Sequence, residues 1–280
     1  MRTTTIAGHA VPVLGQGTWQ LGDRPGRRPQ EIAALRLGLD LGMTLIDTAE
    51  MYGDGASEEL VAEAIAGRRE QVFLVTKVLP GNATSRKRIV TACENSLRRL
   101  RTDHVDLYLL HWRQGEDLAL VVETFSGLVD SGKIRHWGVS NFDLADLQEL
   151  EGLPGGMDVA SNQVLYNASR RGIEYDLLPH TRQRGTNVMA YTPIEQGRIF
   201  GNAALREVAQ RHDATPAQIA LAWAIREPGV LAIPRSGSPD HTRENAAAVD
   251  IQLTVQDLQD LQDIDRAFPP PRKAQRLEMI

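Results

Sequence analysis

Thr44-Leu45-Ile46-Asp47-Thr48-Ala49-Glu50-Met51-Tyr52-Gly53 is the stretch whose reading decides the fold. The apolar pair Leu45-Ile46 delivers a carboxylate at Asp47, and a phenol follows five residues later at Tyr52. Gly53-Asp54-Gly55-Ala56-Ser57-Glu58 behind it reads as a turn and then a helix start. Asp47 is therefore expected to end a buried strand, with Tyr52 on the loop that follows. Taken alone, an aspartate before a loop is an ordinary turn or cap residue. The pattern recurs, however. The run 72–77 is an apolar strand ending on Lys77, and the run 105–111 is another ending on His111, at intervals of about thirty residues. Three evenly spaced strands each finish on a titratable group, and those groups can converge on Tyr52.

Outward from this core the chain alternates. Before it, 3–13 reads as a small β-hairpin around Gly8-His9. The strand 13–19 follows, with glycines that permit close approach to its backbone. A helix after Pro29 carries Ile32, Leu35 and Leu39 and ends at Gly42. Beyond the core, helices are expected at 57–66 (with Ser57, Glu58 and Glu59 at its positive end and Gly67 closing it), 85–100 and 118–130. Strand 134–141 precedes a short helix capped by Asp143 and running to Leu150. Strand 159–164, helix 173–184 ended by Gly185, and strand 187–191 come next. Helices 203–211 and 216–226 follow, the second opened by Thr215-Pro216; then strand 230–233 and closing helices 239–248 and 255–267.

Counted from Val13 there are eight short apolar strands, nearly all separated by amphipathic helices, with no linker between them. Continuous apolar strands alternating with helices imply an α/β architecture whose parallel sheet is covered by helices. Eight such units in 280 residues fit a closed (β/α)8 TIM barrel, with an N-terminal β-hairpin and extra helices near the C-terminus, as a single domain over residues 1–280. In that fold the active site lies at the C-terminal strand ends, where Asp47, Lys77 and His111 fall.

Composition narrows the function. The chain is 42% hydrophobic and 24% charged with a net charge of −5 and no basic run, which speaks against nucleic acid as a partner. Cys93 is the one cysteine, so no internal disulfide forms, and it reads as a packed thiol. Met1-Arg2-Thr3-Thr4-Thr5 lacks a secretory apolar segment, and no apolar run approaches the ~18 residues of a membrane helix. A soluble, cytoplasmic monomer is expected, with no membrane partner. None of the seven histidines forms the His-x-His pair of a metal-dependent barrel hydrolase, so no metal is expected. A barrel glycosidase needs two carboxylates on strand ends, and the later ends offer His111, Asn141 and Tyr191 instead.

Carbonyl reduction suits the residues present. Hydride addition leaves an alkoxide-like oxygen that needs a proton, and a phenol is a weak acid with a pKa of about 10. An ammonium at Lys77 stabilises phenolate and is expected to lower that value, while Asp47 keeps the lysine charged and in position. His111 can orient the carbonyl oxygen by hydrogen bonding.

Gly17-Thr18-Trp19, Asp47-Thr48-Ala49 with Tyr52-Gly53, Thr76-Lys77, Leu110-His111-Trp112, Gly138-Val139-Ser140-Asn141-Phe142, Asn162-Gln163, Tyr191-Thr192-Pro193 and Ile233-Pro234-Arg235-Ser236 together resemble the aldo/keto reductase superfamily, in family order along almost the whole chain. Within it the likeness is to bacterial methylglyoxal reductases and related broad-range aldehyde reductases. The resemblance implies that Tyr52 is the general acid, with Asp47, Lys77 and His111 as partners. It implies a nicotinamide dinucleotide extended over the barrel mouth. Gly17, Thr18 and Asp47 would contact the ribose, and Ser140, Asn141 and Gln163 would hold the carboxamide. Tyr191 would stack on the nicotinamide, and Thr192, Pro193, Ile194, Gln196 and Gly197 would follow the pyrophosphate.

The adenosine end would rest on Arg235-Ser236-Gly237-Ser238-Pro239, just before a helix start suited to phosphate, with Ile233 and Pro234 also touching the coenzyme. Glu244 and Asn245 match the adenine-contacting pair. Arg235 replaces a more usual lysine and keeps its charge, but His241 stands where the family has an arginine. NADPH is the expected coenzyme, and the His241 departure weakens the 2′-phosphate clamp and leaves room for NADH. No Gly-x-Gly-x-x-Gly run occurs, as befits a barrel. Trp19, Met51, Tyr52, His111 and Trp112 would line a pocket for small aldehydes and α-dicarbonyls, left open by a short tail after Phe268. Some relatives act as channel subunits or redox sensors, but all four catalytic positions are kept here.

Overall fold

Eight parallel strands curl into a barrel because each alternates between two apolar environments. In the computed structural model, which describes residues 1–263, 270–274 and 277–279, the sheet runs in the order β10-β9-β8-β7-β6-β5-β4-β3. These strands are β3 (Gln16–Gly17), β4 (Leu45–Asp47), β5 (Phe73–Val78), β6 (Val105–Leu110), β7 (Ile134–Ser140), β8 (Ser161–Leu165), β9 (Asn187–Tyr191) and β10 (Val230–Ala232). A parallel strand pair needs a crossover, and the helices between strands supply it. They are α1 (Arg28–Asp40), α2 (Ala56–Ala64), α3 (Arg86–Leu100), α4 (Leu118–Asp130), α5 (Leu144–Glu151), α6 (Leu177–Arg184), α7 (Ala203–Arg211) and α8 (Pro216–Ala224); α9 (Pro239–Ala247) and α10 (Val255–Asp263) follow the last strand.

The barrel closes where β3 meets the segment around β10. Gly15 N–H donates to Ala232 O (2.8 Å), Gly17 N–H to Pro234 O (3.1 Å), and Ala232 N–H to Val13 O (2.9 Å). Gly17 is required there: a Cβ would lie 2.7 Å from the Ile233 carbonyl oxygen. The close approach expected at these glycines is thus made by the barrel's own last strand. At the other end, β1 (Thr3–Ile6) and β2 (His9–Pro12) pair antiparallel through a turn at Ala7 and Gly8, both left-handed, as two-residue hairpin turns demand. Ile6 and Val11 of this hairpin plug the barrel, joining Leu45, Val75, Leu107, Leu109, Met189 and Leu231 in its interior.

Strand parity then places the polar residues. Leu45, Val75 and Leu109 point inward, while Ile46, Leu74, Val78, Tyr108 and Leu110 pack outward under the helices. Side chains alternate along a strand, so the next inward positions after Leu45, Val75 and Leu109 are Asp47, Lys77 and His111. They form the top rung of the barrel.

Some local expectations change. α2 begins at Ala56 after left-handed Gly55 and ends at Ala64, and Ser57 caps nothing. Its hydroxyl lies 2.7 Å from Thr18 Oγ1 instead, joining the helix to the strand end. The helix expected from 173 begins only at Leu177, because Asp176 caps the Leu177 N–H and Pro179 suits only a first turn. The caps at Asp143 and Thr215 are present, each with a reciprocal partner, Asp146 and Gln218. The expected helical residues 264–267 and the tail residues 268–269, 275–276 and 280 lie outside the described residues. Where the tail is described, Leu277 packs on the outer core and Glu278 pairs with Arg170.

Candidate active site

Lys77 is fully buried, and its ammonium has three donors for three acceptors. Nζ lies 2.8 Å from the Asp47 carboxylate, 2.9 Å from Thr48 O and 3.1 Å from the Tyr52 hydroxyl oxygen. Asp47 accepts a second bond from Gln163 Nε2 at 2.7 Å. A carboxylate taking two donors beside a saturated ammonium has the geometry of an ion pair. Burial works against the lysine's charge, but Asp47 and Tyr52 together carry its pKa above the ordinary value. Burial likewise pushes Asp47 up, with Lys77 and Gln163 pulling back.

The phenol does not behave as the sequence suggested. Its pKa is raised, not lowered: burial outweighs Lys77, and the charge of Asp47 cancels part of the lysine's pull. Tyr52 is therefore protonated in the free protein. Because its oxygen accepts from Lys77, its own hydrogen is left to point elsewhere. Lys77 also sits 4.8 Å from the Tyr52 ring centroid. The loop carrying Tyr52 is fixed from beneath by Glu50, which accepts from Leu79 N–H (2.7 Å) and Asn82 Nδ2 (3.0 Å).

His111 stands edge-on to Tyr52, ring centroids 5.8 Å apart, and 4.8 Å from the Trp112 ring. Burial, reinforced by the Lys77 charge, depresses it to about 2. The imidazole is neutral, and its buried Nδ1 has no hydrogen-bond partner. It is thus a dipole in this site and not a cation.

The other strand ends are joined to this cluster by an arc of hydrogen bonds. Tyr191 OH donates to Asn141 Oδ1 (2.9 Å), and Asn141 Nδ2 donates to Ser140 Oγ (3.1 Å) and His111 O (3.2 Å). Ser140 Oγ donates to Gln163 O (2.8 Å), and the Gln163 amide reaches Asp47 and Met189 Sδ. Asn141 is left-handed (φ 60°), which turns its amide back over the strand ends. Thr18 follows Gly17 at the end of β3. Fully buried, its hydroxyl donates to Asp47 O at 2.9 Å and so braces the strand end.

The loop Thr192, Pro193, Ile194, Gln196 and Gly197 follows β9, with Thr192 and Gln196 left-handed. The sequence reading passed over its anchor. Buried Glu195 accepts from Asn167 Nδ2 (2.7 Å), Arg198 (2.8 Å) and Arg170 (3.2 Å). A carboxylate between a proline and a glycine, with arginines at 170, 171 and 198, was the available signal. Glu58, read from the sequence only as an acid at the start of α2, is buried and accepts from Thr76 Oγ1 and Arg99 Nε at 2.6 Å each. It lies directly behind the strand that carries Lys77.

Across the mouth, Ile233 and Pro234 are buried and Arg235 is exposed, with no ion pair among the described residues. Ser236 Oγ accepts from Ser238 N–H at 3.2 Å, shaping the turn into α9. No side chain caps α9, so its first-turn N–H groups are open. A free guanidinium beside an uncapped helix start fits a phosphate. His241 is exposed in that first turn, Arg243 is drawn to Asp240, and Asn245 is buried. Glu244 is committed to Thr215 Oγ1, so it is not free in this arrangement. Trp19 and Met51 are each 41% exposed at the rim and Trp112 is half-buried. Among the described residues no cluster of three or more His, Cys, Asp or Glu could hold a metal.

This geometry belongs to a known class. The aldo/keto reductase family profile matches residues 13–266, and the chain belongs to that family of oxidoreductases. It is 49% identical over 276 residues to methylglyoxal reductase YeaE of Escherichia coli K12, covering 97% of this chain and 96% of that protein. It is also 29% identical to methylglyoxal reductase DkgB of E. coli O157:H7, covering 91% and 94%. An aldo/keto reductase of Klebsiella pneumoniae, solved with NADP and acetate, superposes with a TM-score of 0.96 at 49% identity over 99% of both chains.

Proposed function

We propose that the chain reduces small aldehydes and α-dicarbonyls, methylglyoxal among them, to alcohols with NADPH. The observation that carries this is the convergence of Asp47, Lys77, Tyr52 and His111 on one rung, with the phenol oxygen accepting from Lys77 at 3.1 Å. When bound, the coenzyme supplies hydride to the carbonyl carbon. Tyr52 donates its proton to the carbonyl oxygen, a direction open to it because Lys77 occupies its acceptor side. Phenolate left behind faces an ammonium already in place, so stabilisation needs no rearrangement. Asp47 keeps that ammonium charged. His111, neutral across the working pH range, donates through its other nitrogen to the same carbonyl oxygen and fixes its angle.

NADPH fits the residues present. Arg235 and the uncapped start of α9 suit a phosphate, and the amide and hydroxyl groups of Ser140, Asn141 and Gln163 suit a carboxamide. Tyr191 brings an aromatic ring to the same side. The exposed rim of Trp19 and Met51 suits small substrates and weak selectivity. The test is NADPH oxidation followed across aldehydes, ketones and sugars, with Tyr52→Phe as control. Turnover of methylglyoxal that vanishes in the variant, with coenzyme binding kept, is the expected outcome. Tight coenzyme binding without turnover of any carbonyl would overturn it.

A further inference from the structure

Glu31 is a buried acid that the chemistry above does not use. It is 4% exposed, on the first turn and a half of α1, and makes no salt bridge to a described residue. Arg28, one turn earlier, is hydrogen-bonded to Glu63 at 2.8 Å and feels the charge of Glu31 only at longer range. One carboxylate oxygen of Glu31 accepts from Gly22 N–H at 2.9 Å. The rest of the side chain backs onto the turn before α9: a Cβ built at Gly237 would meet Glu31 Cγ at 3.4 Å and Oε1 at 3.7 Å. Gly237 lies two residues from Arg235, in the turn whose free guanidinium and uncapped helix fit a phosphate. A carboxylate is thus buried against the turn that links Arg235 to α9, where solvent screens it poorly.

From this placement we infer that Glu31 sets how strongly the coenzyme's 2′-phosphate is preferred over a 2′-hydroxyl. The inference rests on the coenzyme reading above. Its charge opposes the phosphate and is indifferent to the hydroxyl, so it holds down the NADPH preference that Arg235 creates. Glu31 is a positioning residue as well: Gly22 follows Leu21, whose N–H closes the Thr18 turn bearing Trp19 (2.9 Å), so both ends of the mouth lean on one carboxylate.

The test is the pair of dissociation constants for NADPH and NADH, with 2′,5′-ADP and ADP as fragments, in Glu31→Gln, Glu31→Met and Glu31→Asp. Gln keeps an acceptor for Gly22 without the charge, Met keeps only the volume, and Asp keeps the charge. Both neutral variants are expected to tighten NADPH and 2′,5′-ADP about five- to tenfold relative to NADH and ADP. Asp should restore the wild-type ratio. An equal shift for both coenzymes, or an unmoved ratio in the neutral variants, would leave Glu31 a purely structural residue and overturn the inference. If the wild-type protein binds neither coenzyme, the coenzyme reading falls and takes this one with it. Normal wild-type binding with an unmoved ratio removes the Glu31 inference alone.

Discussion

The two ends of the barrel use the same strands for opposite purposes. At the N-terminal end Ile6 and Val11 press against Leu107 and Leu231, and the hairpin closes the floor with apolar surface. At the C-terminal end, one rung up, the inward positions become Asp47, Lys77 and His111. Six of the nine described non-glycine residues with positive φ, namely Gln20, Asp54, Asn141, Thr192, Glu195 and Gln196, also lie in loops on that side. Each left-handed residue costs on the order of 1 kcal/mol, and the buried charges cost more. The apolar floor and helix layer supply the stability that lets the mouth hold strained, charged groups.

That division can be broken from either side. The largest effect is expected from Tyr52→Phe, which should lower kcat by about two to four orders of magnitude while the melting temperature and coenzyme affinity stay close to wild type. Stopped-flow reduction and coenzyme fluorescence measure the two parts. Lys77→Met should damage both properties, because it strands the Asp47 carboxylate in a buried site. A stability loss of about 3–5 kcal/mol in urea titration is expected together with loss of turnover. At the floor, Ile6→Ala should cost about 2–5 kcal/mol in the same titration and leave kcat per folded molecule unchanged. A drop in kcat there would mean that the two ends are not separable.

The smallest effect concerns pH. His111 is held at about 2 in the folded protein, whereas an unfolded chain takes up a proton near 6.5. Its contribution is therefore intact above pH 6.5 and lost as pH falls, since protons then favour the unfolded state. The expected slope is up to about 1.4 kcal/mol per pH unit. His111→Gln should flatten stability between pH 6.5 and 5.5 relative to wild type. Equal slopes would show the imidazole to be hydrated and not buried.

The barrel was legible because its strands are short apolar runs at regular intervals, and the acid site because its members end three consecutive ones. Period-two alternation even dictates their inward direction. The raised phenol was not legible: Lys77 argues for a lower pKa, and only burial, a property of the packed whole, reverses the sign. Ser57 looked like a cap because its position is right, but Gly55 starts the helix early and Thr18 claims the hydroxyl. The burial of Glu195, Glu58 and Glu31 was passed over for one reason. A glutamate in a helix or loop reads as solvated until the arginine, threonine or glycine that packs against it in the folded chain is known.

The seam between Gly17 and the residues after β10 has a consequence for biosynthesis. A ribosome releases the proton-handling side chains early, whereas Arg235 emerges only after some two hundred further residues, since 235 − 47 = 188 separate it from Asp47. Until that last segment is threaded beside Gly17, the nascent polypeptide lacks its closing stitch. The seam of the barrel is thereby deferred until β10 has been made.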